Sequence, residues 1–176
     1  MEPLEPRHED ELWGIAQDER LWRWMRIGAH ESREAFRKWW KTIDLGFATY
    51  VDGEIAGHTS YLGVRPEDRV LEIGNTWLAQ PFWSTGANVE AKLLLMQHAF
   101  EDEGFFRVEF KTDALNERSR AALVALPAEL EGVFRKHMLV RGGERRDSAW
   151  YAVIDDDWPA VKRALRERLA REPRHA

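Results

Sequence analysis

A strand, a short loop of small residues and a helix follow one another between Glu72 and Lys92, and this succession constrains the fold more than any other feature of the sequence. Residues 70–78 have the apolar pattern of a strand, and residues 88–103 have the apolar spacing of a helix. The first backbone N–H groups of a helix lack partners within it, and the helix dipole places partial positive charge there. The loop at residues 80–86 is therefore a candidate anion site, although an ordinary helix start explains it equally well.

The segment lacks the two best-known phosphate-binding signatures. No Gly-Lys-Ser/Thr follows the loop, which excludes a Walker loop, and the Gly-x-Gly-x-x-Gly pattern of dinucleotide-binding domains is missing. Residues 84–87 are nevertheless small enough for a pyrophosphate to approach the backbone. By itself the loop therefore has weak specificity for any one anion.

Turn signals and changes of apolar period divide the rest of the chain into helices and strands. Asp52-Gly53 and Gly142-Gly143 are strong hairpin turns. The predicted helices are 10–24, 32–42, 88–103, 116–126 and 158–171, and the predicted strands are 46–51, 55–64, 70–78, 107–112, 132–141 and 145–154. This order predicts one α+β domain spanning residues 1–176, with a mixed sheet of about six strands. Almost no room is left for a strand before the first helix.

The composition narrows the functional classes. No cysteine occurs among the 176 residues, which excludes disulfides, thiolate metal sites and a cysteine nucleophile and is typical of a cytoplasmic protein. The net charge of −5 disfavours binding to nucleic acid or acidic membranes, and no apolar run reaches the ~18 residues of a membrane helix. The six histidines are scattered, so no metal site is predicted.

Four segments of the sequence, taken in order, resemble the motifs of a known protein family. They read Glu-Ile-Gly-Asn-Thr-Trp-Leu at 72–78 with Trp-Ser-Thr-Gly-Ala-Asn-Val-Glu-Ala-Lys at 83–92, Arg-Val-Glu-Phe-Lys-Thr-Asp at 107–113, Asn-Glu-Arg-Ser-Arg-Ala-Ala-Leu at 116–123 and Glu-Gly-Val-Phe-Arg-Lys-His-Met at 131–138. Together they resemble the GNAT N-acetyltransferase superfamily, and most closely its branch of ribosomal-protein N-terminal acetyltransferases. The resemblance covers roughly residues 22–169.

This resemblance implies a mixed, mostly antiparallel sheet flanked by helices, in which the fourth and fifth strands splay apart around the pantetheine arm of acetyl-CoA. It implies backbone contacts to that arm from Trp77 and Leu78, and the Leu78 amide is the candidate donor to the thioester oxygen. The pyrophosphate is expected on the amides of five consecutive residues, Ser84, Thr85, Gly86, Ala87 and Asn88. Trp83 stands where the superfamily usually has arginine or glutamine, and it either contacts the cosubstrate or packs on the surface or at a partner.

The helix after the fifth strand carries the next candidates. Asn116 matches an asparagine that lies near the pantetheine in the superfamily, and an N-cap role also explains it. Ser119 is a candidate to act at the sulfur, because no tyrosine occurs between Asn116 and Leu126 to protonate the thiolate, as one does in many relatives. Pro127 replaces the usual glycine after this helix, and since proline disfavours positive φ, the helix end is expected to differ.

Amide formation requires a base that takes a proton from the amine. Glu72 is the candidate base, since it is an acidic residue in an otherwise apolar strand beside the expected splay. The alternative is an ion pair with Arg107 or Lys111. His58 and His137 are further candidates, and each is also explained as a hydrogen-bonded histidine of the sheet.

These features predict an acyltransferase that moves the acetyl group of acetyl-CoA to a primary amine, either a protein N-terminus or a small molecule, without a metal. The alternative is a non-catalytic module that senses acyl-CoA. A homodimer is expected by resemblance, since relatives often dimerise. No nucleic-acid or membrane partner is expected.

Overall fold

A mixed seven-stranded sheet forms the centre of the computed structural model, which describes residues 1–140 and 142–171. The strands are β1 (Glu2–Pro3), β2 (Leu45–Val51), β3 (Glu54–Arg65), β4 (Val70–Leu78), β5 (Arg107–Asp113), β6 (Glu129–Val140) and β7 (Glu144–Ile154). Their order in the sheet is β1-β2-β3-β4-β5-β7-β6. All neighbours are antiparallel except β4 and β5, which run parallel.

Six α-helices cover the two faces of this sheet within the described residues. They are α1 (His8–Ile15), α2 (Glu19–Trp22), α3 (Arg33–Trp40), α4 (Ala87–Gln97), α5 (Glu117–Val124) and α6 (Trp158–Arg171). The His58 ring of β3 contacts Trp39 of α3, whereas the next residue, Thr59, accepts a hydrogen bond from Lys92 of α4. Since successive strand residues point to opposite faces, α3 and α4 lie on opposite sides. None of these helices is long and apolar enough to cross a membrane.

The two largest of three apolar clusters fill most of the space between the sheet and its helices. The larger lies beneath α4 and α6 and includes Met96 and Phe110, which are at most 2% exposed. The smaller joins α1, α2 and α3 to the sheet through Trp22, Trp39 and Trp77. Much of the tryptophan content therefore serves the core on the α1–α3 face.

The amino end differs from the expectation in two ways. The predicted helix at 10–24 is two helices, because Asp18 is extended and accepts a hydrogen bond from the Arg20 amide as the N-cap of α2. The count of about six strands is one too low, since Glu2 of β1 pairs with Ala48 of β2. A two-residue strand has too few positions to show alternation in the sequence. Arg141, the end of the predicted strand 132–141, lies outside the described residues.

The end of α5 overturns the expectation drawn from Pro127. The Ala128 amide donates to the Leu123 carbonyl at 3.1 Å, a bond typical of a Schellman helix end, and Pro127 has φ +24°. The helix end thus approaches the left-handed geometry that glycine normally supplies. Leu126 and Ala128, on either side of the proline, are both buried here, so the helix end is anchored in the core.

Candidate active site

A gap opens between β4 and β5, as the resemblance implies. The two strands pair at only three positions, Val70 with Arg107, Leu71 with Val108 and Glu72 with Glu109. Beyond Glu72, β4 stays with β3 as far as Leu78, whereas β5 stays with β7 as far as Asp113. The strands therefore part at Glu72, and the predicted splay between the fourth and fifth strands is confirmed.

A β-bulge in β4 shapes one wall of the gap. Asn75 and Thr76 share one opposing residue in β3, Thr59, and Asn75 has φ +52°. The Asn75 side chain accepts a hydrogen bond from the Trp39 indole at 3.2 Å, and its carbonyl accepts one from His58 Nδ1–H at 3.0 Å. Because the extra residue shifts the alternation of the strand, the side chains of β4 change face at this point.

The backbone of Leu78 faces the gap. The Ala79 amide donates to the Ala56 carbonyl of β3 at 2.8 Å, and backbone groups alternate in direction along a strand. The Leu78 amide and carbonyl therefore point away from β3. On that side the Leu78 carbonyl accepts a hydrogen bond from the Trp83 indole at 2.5 Å. The Trp77 side chain is buried in the tryptophan cluster, and by the same alternation its backbone groups point toward β3, where Trp77 pairs with His58.

Residues 84–88, which are expected to bind a pyrophosphate, form the turn into α4. The Thr85 hydroxyl donates to the Phe82 carbonyl at 2.8 Å and accepts from the Ala87 amide at 3.3 Å. Gly86 is the N-cap and has no side chain to cap the helix, which leaves amides of the first turn for another acceptor. No lysine or arginine occurs from residue 79 to residue 91. The turn therefore offers backbone dipoles to an anion but no side-chain cation.

Trp83 lies against two arginine side chains. The Arg118 guanidinium is 4.2 Å from the centre of the Trp83 ring, and the Arg20 guanidinium is 5.4 Å away. Arg20 also pairs with Asp18 and donates a hydrogen bond to Gln80. Arg118 belongs to α5, which follows β5, whereas Trp83 follows β4. Two predicted segments that are remote in sequence therefore meet across the gap.

Asn116 and Ser119 lie at the start of α5, on the β5 side of the gap. The Asn116 side chain accepts a hydrogen bond from the Ser119 amide at 3.1 Å and is the N-cap of α5, so the predicted cap is observed. Both residues are half-buried. The cap fixes the first turn of α5, and with it the backbone of Arg118 and Ser119.

Glu72 lies where the strands part and is 6% exposed. Its carboxylate accepts a hydrogen bond from the Lys111 ammonium at 2.6 Å. The ion pair considered for Glu72 therefore forms with Lys111 and not with Arg107, which pairs with Glu109 and Glu131. Burial raises the pKa of Glu72, and the positive charge of Lys111 opposes this rise.

Gly74 makes room for this carboxylate. A Cβ atom at position 74 would lie 2.8 Å from Glu72 Oε1 and 2.8 Å from the Leu62 side chain. Both distances are too short for atoms that are not bonded. An alanine at position 74 would therefore displace the end of the Glu72 or the Leu62 side chain.

His58 is enclosed in the sheet. Besides its bond to the Asn75 carbonyl, its Nε2 accepts a hydrogen bond from the Ser60 hydroxyl at 3.2 Å. The side chain is fully buried, and burial lowers its pKa to about 3. These surroundings are those of a hydrogen-bonded sheet histidine, the alternative weighed for this residue.

His137 lies on the face of the sheet that carries Lys111. The Trp150 ring has the Lys111 ammonium 5.1 Å from its centre and the His137 ring 5.3 Å away. His137 Nδ1 is 3.0 Å from the Ser148 hydroxyl. Burial, together with the charges of Lys111 and Arg146, lowers the pKa of His137, so its imidazole is neutral near pH 7.

Lys92 is a site residue to which the sequence assigned no role. It is 5% exposed, and its ammonium donates to Thr76 Oγ1 at 2.6 Å and Thr59 Oγ1 at 3.1 Å. Burial lowers its pKa to about 7. Lys92 comes three residues after Val89 and four before Met96, and both of these belong to the buried stripe of the helix. This spacing is the sequence signal that the Lys92 side chain points inward.

Comparison with known proteins places this geometry in a family. The acetyltransferase (GNAT) domain family matches residues 1–127, whereas no curated protein matches the chain. A T. thermophilus protein described as an acetyltransferase is 38% identical with a TM-score of 0.88, and the match covers 95% of this chain and 91% of that one.

Two more distant structures share the fold. Mycobacterium smegmatis RimJ in complex with CoA-disulfide is 20% identical with a TM-score of 0.81, over 94% of this chain and 87% of that one. RimL, a ribosomal L7/L12 α-N-protein acetyltransferase, is 21% identical with a TM-score of 0.75, over 86% and 87%. The family match spans most of the chain, and the protein therefore belongs to the GNAT acetyltransferase family.

Proposed function

We propose that this protein is an N-acetyltransferase that moves the acetyl group of acetyl-CoA directly to a primary amine while both are bound. The gap between β4 and β5 is the observation that supports this most. The Leu78 backbone borders the gap, the start of α4 lies beside it, and the Glu72 carboxylate lies where the strands part. In this proposal the thioester carbon lies near that point, within reach of an amine held beside Glu72.

Acetyl-CoA is proposed to lie along the gap, with its pantetheine arm beside the backbone of Trp77 and Leu78. Its pyrophosphate is proposed to accept hydrogen bonds from the amides of residues 84–88, where the α4 dipole favours an anion. Asn116 is proposed to border the pantetheine from the opposite side. RimJ of M. smegmatis, which shares the fold, is in complex with CoA-disulfide, and this supports CoA binding here.

The reaction needs a neutral amine, because an ammonium has no lone pair. The amine nitrogen attacks the thioester carbon, and its proton passes to Glu72, the proposed base, directly or through one water. The negative oxygen of the tetrahedral state accepts a hydrogen bond from the Leu78 amide. The C–S bond then breaks, and the CoA thiolate leaves and takes up a proton from the Ser119 hydroxyl, the proposed donor. Ser119 regains a proton from water, and Glu72 releases the one that it took from the amine.

The acceptor is proposed to be a protein N-terminus or a small primary amine. An α-amine has a pKa of about 7.7–8.0 and a lysine of about 10.4, so a larger fraction of an α-amine is neutral near pH 7. RimL is a protein N-terminal acetyltransferase, which favours a protein acceptor. His137 is the second candidate base, since its lowered pKa leaves it neutral beside Trp150.

Incubation with acetyl-CoA and a panel of amines tests this proposal. The panel contains peptides with a free α-amine, the same peptides with a blocked α-amine, peptides whose only amine is a lysine, and small primary amines. We expect free CoA thiol to appear in the same amount as acetylated acceptor, measured by thiol titration and by mass spectrometry. Reactions without the protein are the control. No thiol release together with no stabilisation by acetyl-CoA would contradict the proposal.

A non-catalytic acyl-CoA sensor is the second candidate. The Glu72 carboxylate is engaged by Lys111 at 2.6 Å, and α5 contains no tyrosine; both observations favour a protein that binds without turnover. Acetyl-CoA would then raise the midpoint of thermal unfolding, yet no acceptor would cause thiol release.

Two further proposals concern the protein in solution and in the cell. A cytoplasmic location fits an enzyme without cysteine that uses acetyl-CoA, and cell fractionation tests it. A homodimer is also proposed, and sedimentation of the purified protein tests it. Both stay predictions from the sequence.

A further inference from the structure

The turn into α4 lacks a cation of its own. Residues 79–91 contain no lysine or arginine and include Glu90. Lys92, the first basic residue after the turn, is buried and bonded to Thr59 and Thr76, so it does not reach an anion at the surface. CoA carries a pyrophosphate and a 3′-phosphate, and the net charge of −5 opposes their approach. Local positive charge for these groups must therefore come from another element.

Trp83 does not supply this contact itself. Its single donor, Nε1–H, is used by the Leu78 carbonyl at 2.5 Å. The face of its ring instead holds the guanidinium groups of Arg118 and Arg20. Trp83 therefore keeps two cations beside the turn that directly follows it.

The two arginines differ in their counter-charges. Arg20 pairs with Asp18 at 2.5 Å and donates to Gln80 at 2.9 Å, so its charge is already neutralised. Arg118 is exposed, and among residues 1–140 and 142–171 it has neither an ion pair nor a hydrogen bond. The contact with the Trp83 ring is what holds its guanidinium. Arg118 is thus a cation without a counter-charge at the mouth of the gap.

We infer that Arg118 binds a phosphate group of CoA and that Trp83 positions its guanidinium for this purpose; the inference rests on the proposed use of acetyl-CoA. The cap at Asn116 fixes the backbone of Arg118 at the start of α5. Trp83 directly precedes the turn into α4, so a guanidinium held on its ring lies beside an anion bound there. A guanidinium forms paired hydrogen bonds with phosphate, so Arg118 completes from the β5 side a site whose amides come from the β4 side.

Truncation of the cosubstrate separates this role from a purely structural one. Arg118→Ala and the wild type are compared with acetyl-CoA and with S-acetylpantetheine, which has the thioester arm but no phosphate. We expect Arg118→Ala to raise the Kd for CoA by about 10- to 100-fold. The value of kcat/KM for acetyl-CoA should fall by the same factor, mainly through KM, and that for S-acetylpantetheine should stay unchanged. Arg118→Lys should restore part of the loss.

Arg20→Ala is the matched control, because Arg20 contacts the same ring but is already paired with Asp18. We expect its Kd for CoA to stay within about twofold of the wild type, since no free charge is removed. A loss for Arg118→Ala that disappears with 3′-dephospho-CoA assigns the contact to the 3′-phosphate, and a loss that persists assigns it to the pyrophosphate.

Two results would overturn the inference. One is an Arg118→Ala variant with wild-type affinity for CoA, and the other is an equal loss of kcat/KM with acetyl-CoA and S-acetylpantetheine. Calorimetry of the wild type with CoA distinguishes this failure from failure of the proposed function. If the wild type binds no CoA, the proposed function fails, and the inference fails with it.

Discussion

Replacement of Lys92 by methionine tests the buried ammonium beneath α4. Lys92 is 5% exposed, and its hydrogen bonds go to two threonine hydroxyls. Burial lowers its pKa from 10.5 to about 7. Methionine has a similar length and no charge. The hydroxyls of Thr59 and Thr76 keep their mutual hydrogen bond at 2.8 Å, and Thr76 keeps its bond to the Gly74 carbonyl. The substitution therefore removes mainly the ionisable group.

The sign of the effect follows from the protons that each state binds. The unfolded chain holds a proton on Lys92 up to about pH 10.5 and the folded chain only up to about pH 7, so stability rises with pH between these values. With these two pKa values, Lys92 alone adds about 3 kcal/mol to the free energy of unfolding from pH 6 to pH 9. Below pH 7 the full destabilisation is about 5 kcal/mol, and methionine removes it.

Urea unfolding of both proteins at pH 6, 7, 8 and 9 measures this prediction. We expect the wild type to gain about 3 kcal/mol relative to Lys92→Met across this range, since the other groups titrate alike in both proteins and cancel. Lys38→Met is the control, because the Lys38 side chain is 74% exposed, and it should follow the wild type. Parallel pH dependences for the wild type and Lys92→Met would refute the lowered pKa. A variant less stable than the wild type at pH 6 would refute the cost of burying the charge.

Three further substitutions probe the gap and the end of α5. Glu72→Gln should lower turnover, less so at high pH where more of the amine is neutral, and leave CoA binding intact; equal activity at every pH would remove Glu72 from the role of base. Lys111→Met removes the charge that opposes burial, so the pKa of Glu72 should rise further and the acid limb of the kcat/KM profile should move to higher pH. If the acid limb of the kcat/KM profile does not move, a group other than Glu72 sets its position. Pro127→Gly places at this helix end the residue type that adopts positive φ freely, but it also loosens the unfolded chain, so the free energy of unfolding in urea should change by less than about 1 kcal/mol; a larger loss would show that the proline ring is needed at this helix end.

Features that depend on neighbouring residues were predictable from the sequence. The turn at Asp52-Gly53, the cap at Asn116 and the helix after residue 86 each depend on residues within a few positions of one another. The separation of β4 and β5 does not depend on residues that are close in the sequence, and only the resemblance to a known family predicted it. The contact between Trp83 and Arg118 was missed because it forms across the gap, between segments whose separation in the sequence carries no local pattern.

The errors have physical causes of a different kind. β1 has two residues, too few for a period, and its pairing with β2 comes from the folded sheet. At Pro127 the local preference of the ring predicted the geometry wrongly, because the buried neighbours Leu126 and Ala128 fix the helix end. Packing overrides propensity in both places. Where several buried contacts meet, a single residue type is therefore a poor guide to the backbone.

The ion pair between Glu72 and Lys111 serves the structure and is also compatible with the proposed base. Burial alone would favour the protonated acid, and Lys111 alone would make the carboxylate a weak base; the two influences oppose each other on the pKa of Glu72. The Trp150 ring, 5.1 Å from the Lys111 ammonium, helps to hold that charge in place. An amine that arrives beside Glu72 then meets a like charge, which lowers the amine's own pKa and favours its neutral form. In the proposed reaction, the ammonium that pairs with Glu72 therefore also favours the neutral form of the acceptor amine.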